Sequence, residues 1–275
     1  MRGSPAGPRL RIGAIAWLNA LPLTAALARW PGGEVLWAPP SELARALSAR
    51  EVGLALVPQV EIASEPGFRV VPGLGIACRG AAESILLFAP RPEAPFARIR
   101  VDAASRSSVE LLRVLLRLDG RPEAELLPAP PDLAPDSIAG SGADALLLIG
   151  DRALAARASD VPRIDLGEWW FERTGLPFVF ALWAGPAEAD PALLAAVEDA
   201  ARDGLPRKAE IARAFAREHP RVIGEADAVR YLTRTIHHEI GSEEEESLRA
   251  FAELRREMGA PLPAGWRPIP FGDPP

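Results

Sequence analysis

Arg11-Ile12-Gly13-Ala14-Ile15-Ala16-Trp17-Leu18-Asn19-Ala20-Leu21-Pro22-Leu23 runs from an apolar stretch through a single amide into a helical spacing that continues to Leu27 and Ala28. An unalternated apolar run is what a strand buried on both faces requires, so Ile12–Trp17 reads as a strand and Asn19 stands where a helix would begin. Glu34–Ala38 reads as a second strand. Pro40-Ser41 then opens a helix carrying Leu43, Ala46 and Leu47, and the apolar strand Val52–Val57 follows. Strand and helix in this alternation predict parallel α/β layering.

The rhythm continues outward from that opening. Arg69–Val71, Gly75–Cys78 and Ser84–Phe88 read as strands, then Arg98–Val101, Ala124–Leu127 and Ala143–Ile149 around a helix at Ser107–Leu118. Asp151–Arg157 and Gly167–Arg173 look helical, and Leu176–Trp183 is a strongly apolar strand. Beyond it the pattern predicts four helices, Pro191–Asp203, Pro206–Glu218, Ala226–Glu239 and Glu243–Met258, before a Pro/Gly-rich tail. Ala89-Pro90-Arg91-Pro92-Glu93-Ala94-Pro95 marks a break between two α/β units. We therefore expect one lobe from residues 1–89 plus 178–275 and a second from 90–177, with a ligand cleft between them.

Charge and composition narrow the function. The 275 residues carry 37 acidic against 31 basic side chains, a net charge of −6. That balance argues against a broad phosphate-neutralising surface and hence against a nucleic-acid partner. The single cysteine, Cys78, excludes an intrachain disulfide and a cysteine metal cluster. Met1–Arg9 lacks a continuous apolar stretch, and no apolar run approaches bilayer length. A cytoplasmic protein without a membrane partner is the expectation.

Several familiar motifs fail on context. Gly140-Ser141-Gly142-Ala143-Asp144-Ala145 matches G-x-G-x-x-A, but it precedes a strand, whereas a dinucleotide loop follows one. His237-His238-Glu239 lacks the second histidine of H-E-x-x-H, so no metal is assigned and the histidines read as structural or surface groups. Glu243–Glu246 reads as a solvated helix start, with Ser242 and Glu245 forming a capping box. Cys78, in an apolar strand with no neighbouring base, reads as a small buried hydrophobe.

Three polar segments survive at strand ends. Asn19 follows the first strand, where an N-cap role would alone explain it. Ser84 enters a strand after Gly75-Ile76-Ala77-Cys78-Arg79-Gly80. Ser105-Arg106-Ser107-Ser108 precedes an apolar helix, with Ser107 and Glu110 at capping-box spacing. Two readings of this turn stand side by side. It is a plain cap, or its hydroxyls and the unpaired N–H groups of the helix start bind a carboxylate or phosphate. Gly150-Asp151 after Ile149 is either a tight turn or part of the same pocket.

Together with Trp17-Leu18-Asn19-x-x-Pro22-Leu23, Leu148-Ile149-Gly150-Asp151-Arg152-Ala153-Leu154 and Asp165-Leu166-Gly167-Glu168-Trp169…Thr174-Gly175-Leu176-Pro177-Phe178, these segments resemble the chorismate dehydratase family, which serves the futalosine route to menaquinone. The resemblance runs from Arg11 to Gly259. It implies a two-lobed fold like the type 2 periplasmic binding proteins. It also implies a hydro-lyase that takes water from the dianion chorismate to give 3-[(1-carboxyvinyl)oxy]benzoate, with no cofactor. Asn19 and Ser84 would then be the catalytic pair, bonding the enolpyruvyl carboxylate and the departing hydroxyl. Ser105, Arg106, Ser107, Ser108, Gly150 and Asp151 would hold substrate. The candidate loops contain no histidine or lysine, so a substrate carboxylate is the expected proton acceptor. Two alternatives remain at this point: a 1,4-dihydroxy-6-naphthoate synthase-like enzyme, against which the absence of histidine before His219 counts, and a cytoplasmic binding protein for a small carboxylate.

Overall fold

The structure is a computed structural model that describes residues 10–273. Met1–Arg9, the segment without a continuous apolar stretch, and the last two prolines lie outside those residues. The chain begins β1 (Leu10–Ala14), α1 (Leu21–Thr24), β2 (Gly33–Trp37), α2 (Pro40–Ser48), β3 (Leu54–Pro58), α3 (Gln59–Ser64), β4 (Phe68–Cys78) and β5 (Ile85–Phe88). It continues β6 (Arg98–Val101), α4 (Ser107–Leu118), β7 (Glu125–Pro128), β8 (Ala145–Ile149), α5 (Gly150–Ala156), β9 (Arg163–Asp165) and α6 (Leu166–Thr174). β10 (Phe178–Pro186), α7 (Pro191–Gly204), α8 (Lys208–Glu218), α9 (Glu225–Arg230), β11 (Ile236–Glu239) and α10 (Ser242–Glu257) complete it.

Two sheets organise these elements. The first has the order β11-β4-β10-β3-β1-β2 and the second β7-β6-β8-β5-β9. β1 lies parallel to β2 and β3, as continuous apolar strands joined by helices require, whereas β10 runs antiparallel between β3 and β4. In the second sheet β6 is parallel to β7 and β8, and β5 is antiparallel to β8 and β9. Each sheet supports one lobe.

The ladder places the first crossing earlier than the proline-rich segment 89–95. β5 pairs with β8 and β9, so Ile85–Phe88 belongs to the second sheet and the chain crosses at 79–84. The prolines lie inside the second lobe. They mark an exposed connection between β5 and β6, and proline punctuation alone does not distinguish a loop from a lobe boundary. The chain re-enters the first sheet at Phe178. There Trp170 of α6, Phe178 of β10 and Phe251 of α10 meet edge to face, with centroids 5.0 to 5.7 Å apart, and join the two lobes by buried aromatic packing.

Several elements differ from the sequence reading, which did not anticipate α3 or β9. β4 is one eleven-residue strand where two short ones were expected. The helix expected over Ala226–Glu239 stops at Arg230; a single π turn, Tyr231–Thr235, follows it, and Ile236–Glu239 becomes an edge strand on β4. Pairing with β4 overrides the helical spacing of the apolar residues, in a segment whose Thr233, Thr235 and Ile236 are β-branched. At α10 the cap is Gly241, whose N–H donates to Glu244 Oε2 at 2.8 Å, in place of a Ser242–Glu245 box. Glu243, Glu245 and Glu246 are exposed, as a solvated helix start requires, with Glu243 pairing with Arg79 at the surface and the less exposed Glu244 with His237. Among the described residues, no helix is long and apolar enough to cross a membrane.

Candidate functional site

The start of α4 forms one wall of the cleft between the lobes. Leu111, Leu112, Val114 and Leu115 bury the helix's inner face and fix its axis. Its N-cap is Arg106, so Ser107 and Ser108 are the first two helical residues rather than caps. Ser107 does not form the expected box with Glu110. Its hydroxyl donates to the Phe180 carbonyl at 3.0 Å, and Glu110 accepts from Arg255 Nε at 3.1 Å. Phe180 sits in a bulge of β10 against β4, which explains why its carbonyl is left for a side chain to satisfy. The Ser108 hydroxyl has no hydrogen-bond partner among the described residues. Ser105 is turned elsewhere: with Arg106, Glu61 and Arg255 it lines a separate shallow depression outside the cleft cavity. Its buried Oγ is unpartnered. Arg106 lines both hollows, with Nε 3.7 Å from Glu61 of α3.

Trp17 and Asn19 form the facing wall. Asn19 is not an N-cap, because α1 begins two residues later behind Ala20. Its backbone carbonyl lies 2.8 Å from His238 Nε2, while its side-chain Oδ1 is buried without a partner. Burial pushes the His238 ring down to about 4, so it is neutral near pH 7 and donates from Nε2. His238 thus braces Asn19 from behind, and His237 pairs with Glu244 at 3.0 Å. Neither ring lies in the wall of the cleft cavity.

Gly150 and Asp151 tie the second lobe to this loop. Gly150 has φ +58, and a Cβ there would fall 2.6 Å from the Trp17 ring, so both the backbone and the close approach require glycine. Asp151 Oδ1 accepts from the Leu18 N–H at 3.0 Å, across the cleft. Burial outweighs that bond and pushes its carboxyl up to about 6.

Between the walls lies a cavity of about 50 Å³, bounded by Trp17, Asn19, Ile76 and Phe180 on one side and Ile85, Arg106, Ser107, Ser108 and Gly150 on the other. Small-molecule sites run roughly 300–1,000 Å³, so the lobes are drawn together here further than a bound molecule would allow. A larger hollow of about 560 Å³ lies outside the cleft between α4 and the end of α10 and contains none of the sequence-derived residues except the arginine-flanked helix itself. The cleft is the candidate site, since there an unpartnered amide, a free hydroxyl and a helix N-terminus face one another.

Ser84 is placed next to this cavity but not in its wall. It is 1% exposed; its backbone carbonyl accepts from Gly150 N at 2.8 Å, and Ile85 follows it into the wall. Its Oγ receives the Tyr231 hydroxyl at 2.7 Å and lies 3.3 Å from the Ala82 carbonyl. The preceding residue, Glu83, has φ +59 and binds Arg157 at 2.7 Å, Thr235 at 3.0 Å and Arg230 through both carboxylate oxygens. These cations hold its carboxyl below the usual glutamate range. Asp165, the α6 N-cap, takes the backbone N–H groups of Ala82 and Glu83. Sequence reasoning missed Tyr231, Glu83 and Phe180, whereas His238, read as a structural or surface group, is a buried structural one. The one available signal was that Tyr231 is the chain's single tyrosine.

Cys78 is fully buried and its thiol is pushed well up by burial, as expected of a packing residue. Among the described residues, no group of three or more His, Cys, Asp or Glu side chains is set to hold a metal ion.

Two lobes, a cleft at the strand ends and the β10 return define a periplasmic-binding-protein-like α/β protein. The fold is shared with an Archaeoglobus fulgidus protein (TM-score 0.73, 17% identity, 91% of this chain and 97% of that one). It is shared also with the alkanesulfonate-binding protein of Xanthomonas axonopodis pv. citri bound to MOPS (TM-score 0.65, 18% identity, 94% and 96%). Within that class the chain belongs to the menaquinone biosynthesis family, whose model matches residues 10–257. It is similar to the chorismate dehydratase of Thermus thermophilus, with 34% identity over 275 residues, 91% of this chain and 96% of that protein.

Proposed function

We propose that this chain is a hydro-lyase that eliminates water from chorismate, giving 3-[(1-carboxyvinyl)oxy]benzoate, and that it works in the cytoplasm without a cofactor. The observation that carries the reading is the cleft itself, where the buried, unpartnered Asn19 Oδ1 faces the α4 N-terminus with the free Ser108 hydroxyl. The family and the Thermus thermophilus relative supply the chemistry that such a neutral, hydrogen-bonding cleft would serve.

Chorismate loses a proton from the ring carbon bearing the ether and hydroxide from its neighbour. The ring becomes aromatic and one water leaves, so the protein has to orient more than to drive. In this reading the α4 N–H groups, Ser108 and Arg106 hold a carboxylate. Asn19 and Ser84, the latter reached only once the lobes have parted, bond the enolpyruvyl carboxylate and the departing hydroxyl, and a substrate carboxylate takes the proton. Ser107 and Asp151 hold the cleft closed, through Phe180 and Leu18. Ser105 is outside this scheme. Admitting a ring of this size requires the lobes to part, which breaks the Leu18–Asp151 and Ser107–Phe180 bonds.

Incubating the purified protein with chorismate tests the reading by the appearance of an aromatic product in the ultraviolet spectrum. Tight binding of chorismate without product would make the chain a carboxylate-binding protein instead. Turnover unchanged in both Asn19→Ala and Ser84→Ala would end the assignment of the pair.

A further inference from the structure

We infer that Tyr231, set in the π turn between α9 and β11, is a positioning residue that aims the Ser84 hydroxyl at a bound substrate; the inference rests on the chorismate reading above. Four observations converge on it. The Tyr231 hydroxyl lies 2.7 Å from Ser84 Oγ, and both residues are buried, at 0% and 1% exposure. Burial raises the phenol far above its ordinary range, so it stays protonated and donates. Ser84 must then spend its own hydrogen elsewhere. The Ala82 carbonyl, at 3.3 Å, is longer than the usual O–H···O contact of about 2.7–2.8 Å. A hydroxyl that accepts a strong bond and donates only a weak one is a ready donor to a carboxylate or a departing hydroxide.

The local backbone is arranged around that contact. The π turn is closed by the Ile236 N–H donating to the Tyr231 carbonyl, five residues back. Arg230, just before Tyr231, and Thr235, at the turn's end, both hold Glu83, the residue before Ser84. Glu83 is in the left-handed region, a backbone state that persists only where the surroundings hold it. Single π turns in helices are frequent at functional sites. Tyr231 keeps helical backbone angles at the end of α9, and the π turn after it brings Thr235 to Glu83 and Ile236 onto β4. Filling the space alone needs no hydroxyl, because a phenylalanine ring would do it.

A double-mutant cycle with chorismate as substrate tests the proposal. Tyr231→Phe is expected to lower kcat about tenfold with KM changed less than about twofold, the loss of one oriented hydrogen bond in the transition state. In a Ser84→Ala background the same change is expected to cost nothing further, since the two residues act as a unit. Full activity in Tyr231→Phe, or equal losses in both backgrounds, would overturn the inference while leaving the chorismate reading intact. No turnover by the wild-type protein would end both. Because the chain has one tyrosine, growth on 3-fluorotyrosine labels this position alone and keeps the fold independent of the phenylalanine variant. Its fluorine resonance is expected to move when chorismate is added and to stay fixed when Ser84 is alanine. A resonance indifferent to chorismate in the otherwise wild-type protein overturns the proposal.

Discussion

The two serine-bearing segments of the cleft are built in opposite ways. At the start of α4, Ser107 and Ser108 are presented by the helix that follows them, so their placement follows from a dozen consecutive residues. At the crossing, Ser84 is placed by partners 147 residues away, through Tyr231, and its neighbour Glu83 by Arg230 and Thr235. The first arrangement turns the Ser108 hydroxyl and the helix's N–H groups toward the cleft cavity and suits holding a charged group. The second sits where the chain passes between the lobes, is held by buried side chains of another segment, and suits a fixed contact to reacting atoms. The largest expected effect follows from that difference. Ser84→Ala should lower kcat for chorismate about 100-fold with little change in KM, as loss of a pre-organised donor in a dry site does. A change in KM alone would put Ser84 among the binding groups and dissolve the contrast.

Ser108→Ala probes the other side. Its hydroxyl is free to bond an incoming carboxylate, a contact worth about 1.5–3 kcal/mol when one partner is charged, so KM should rise about tenfold or more while kcat holds. A drop in kcat as large as that of Ser84→Ala would mean that the helix start also touches the reacting atoms.

Local rules made the first kind of region legible. The β1 run, the helix following Ser105–Ser108 and the glycine at the Ile149–Gly150 turn depend on neighbours in sequence, and Gly150 does take the positive φ its turn demands. What the sequence withheld depends on distant chain. The spacing over 226–239 satisfies a helix, and nothing within the segment reveals that β4 will claim Ile236–Glu239 as a partner. Nor does Ser107 announce that the Phe180 carbonyl, freed by a bulge 73 residues on, outcompetes its own helix for the hydroxyl. Ser105, with the same chemistry two positions earlier, precedes the helix and lines a different hollow.

The crossing also has a pH signature. Glu83 has its carboxyl lowered by its hydrogen bond to Arg230, with Arg157 and Thr235 adding to it. A carboxyl whose folded pKa lies below its unfolded value near 4.3 stabilises the fold above that value and loses the contribution as pH falls through the folded one. Glu83→Gln should therefore lower stability by about 1–2 kcal/mol at pH 7, or roughly 2–8 °C in Tm. The deficit should shrink below about pH 4. A deficit constant down to pH 2 would show that shape rather than charge holds the crossing.

Asp151 has the opposite sign and the smallest expected effect. It reaches from the second lobe to the Leu18 N–H, no salt bridge holds it among the described residues, and burial raises its carboxyl to about 6 against the smaller opposing pulls of that bond and of His219. A carboxyl raised on folding favours the folded state when protonated; that contribution is complete below about pH 4 and is lost as pH rises through about 6. Asp151→Asn keeps an acceptor oxygen for Leu18 and removes the buried charge. Its Tm relative to wild type should therefore climb between pH 4 and pH 7, ending about 1–2 °C higher at pH 8 because the weaker neutral bond offsets part of the relief. Chorismate, which must part this contact to enter, should in turn bind wild type more readily as pH rises through 6, apart from its own titration. A variant displaced from wild type by one fixed margin across pH 4 to 8 would show that the contact is indifferent to charge. Asp151 would then be a spacer between the lobes, and the opposition between it and the cation-clamped Glu83 would disappear.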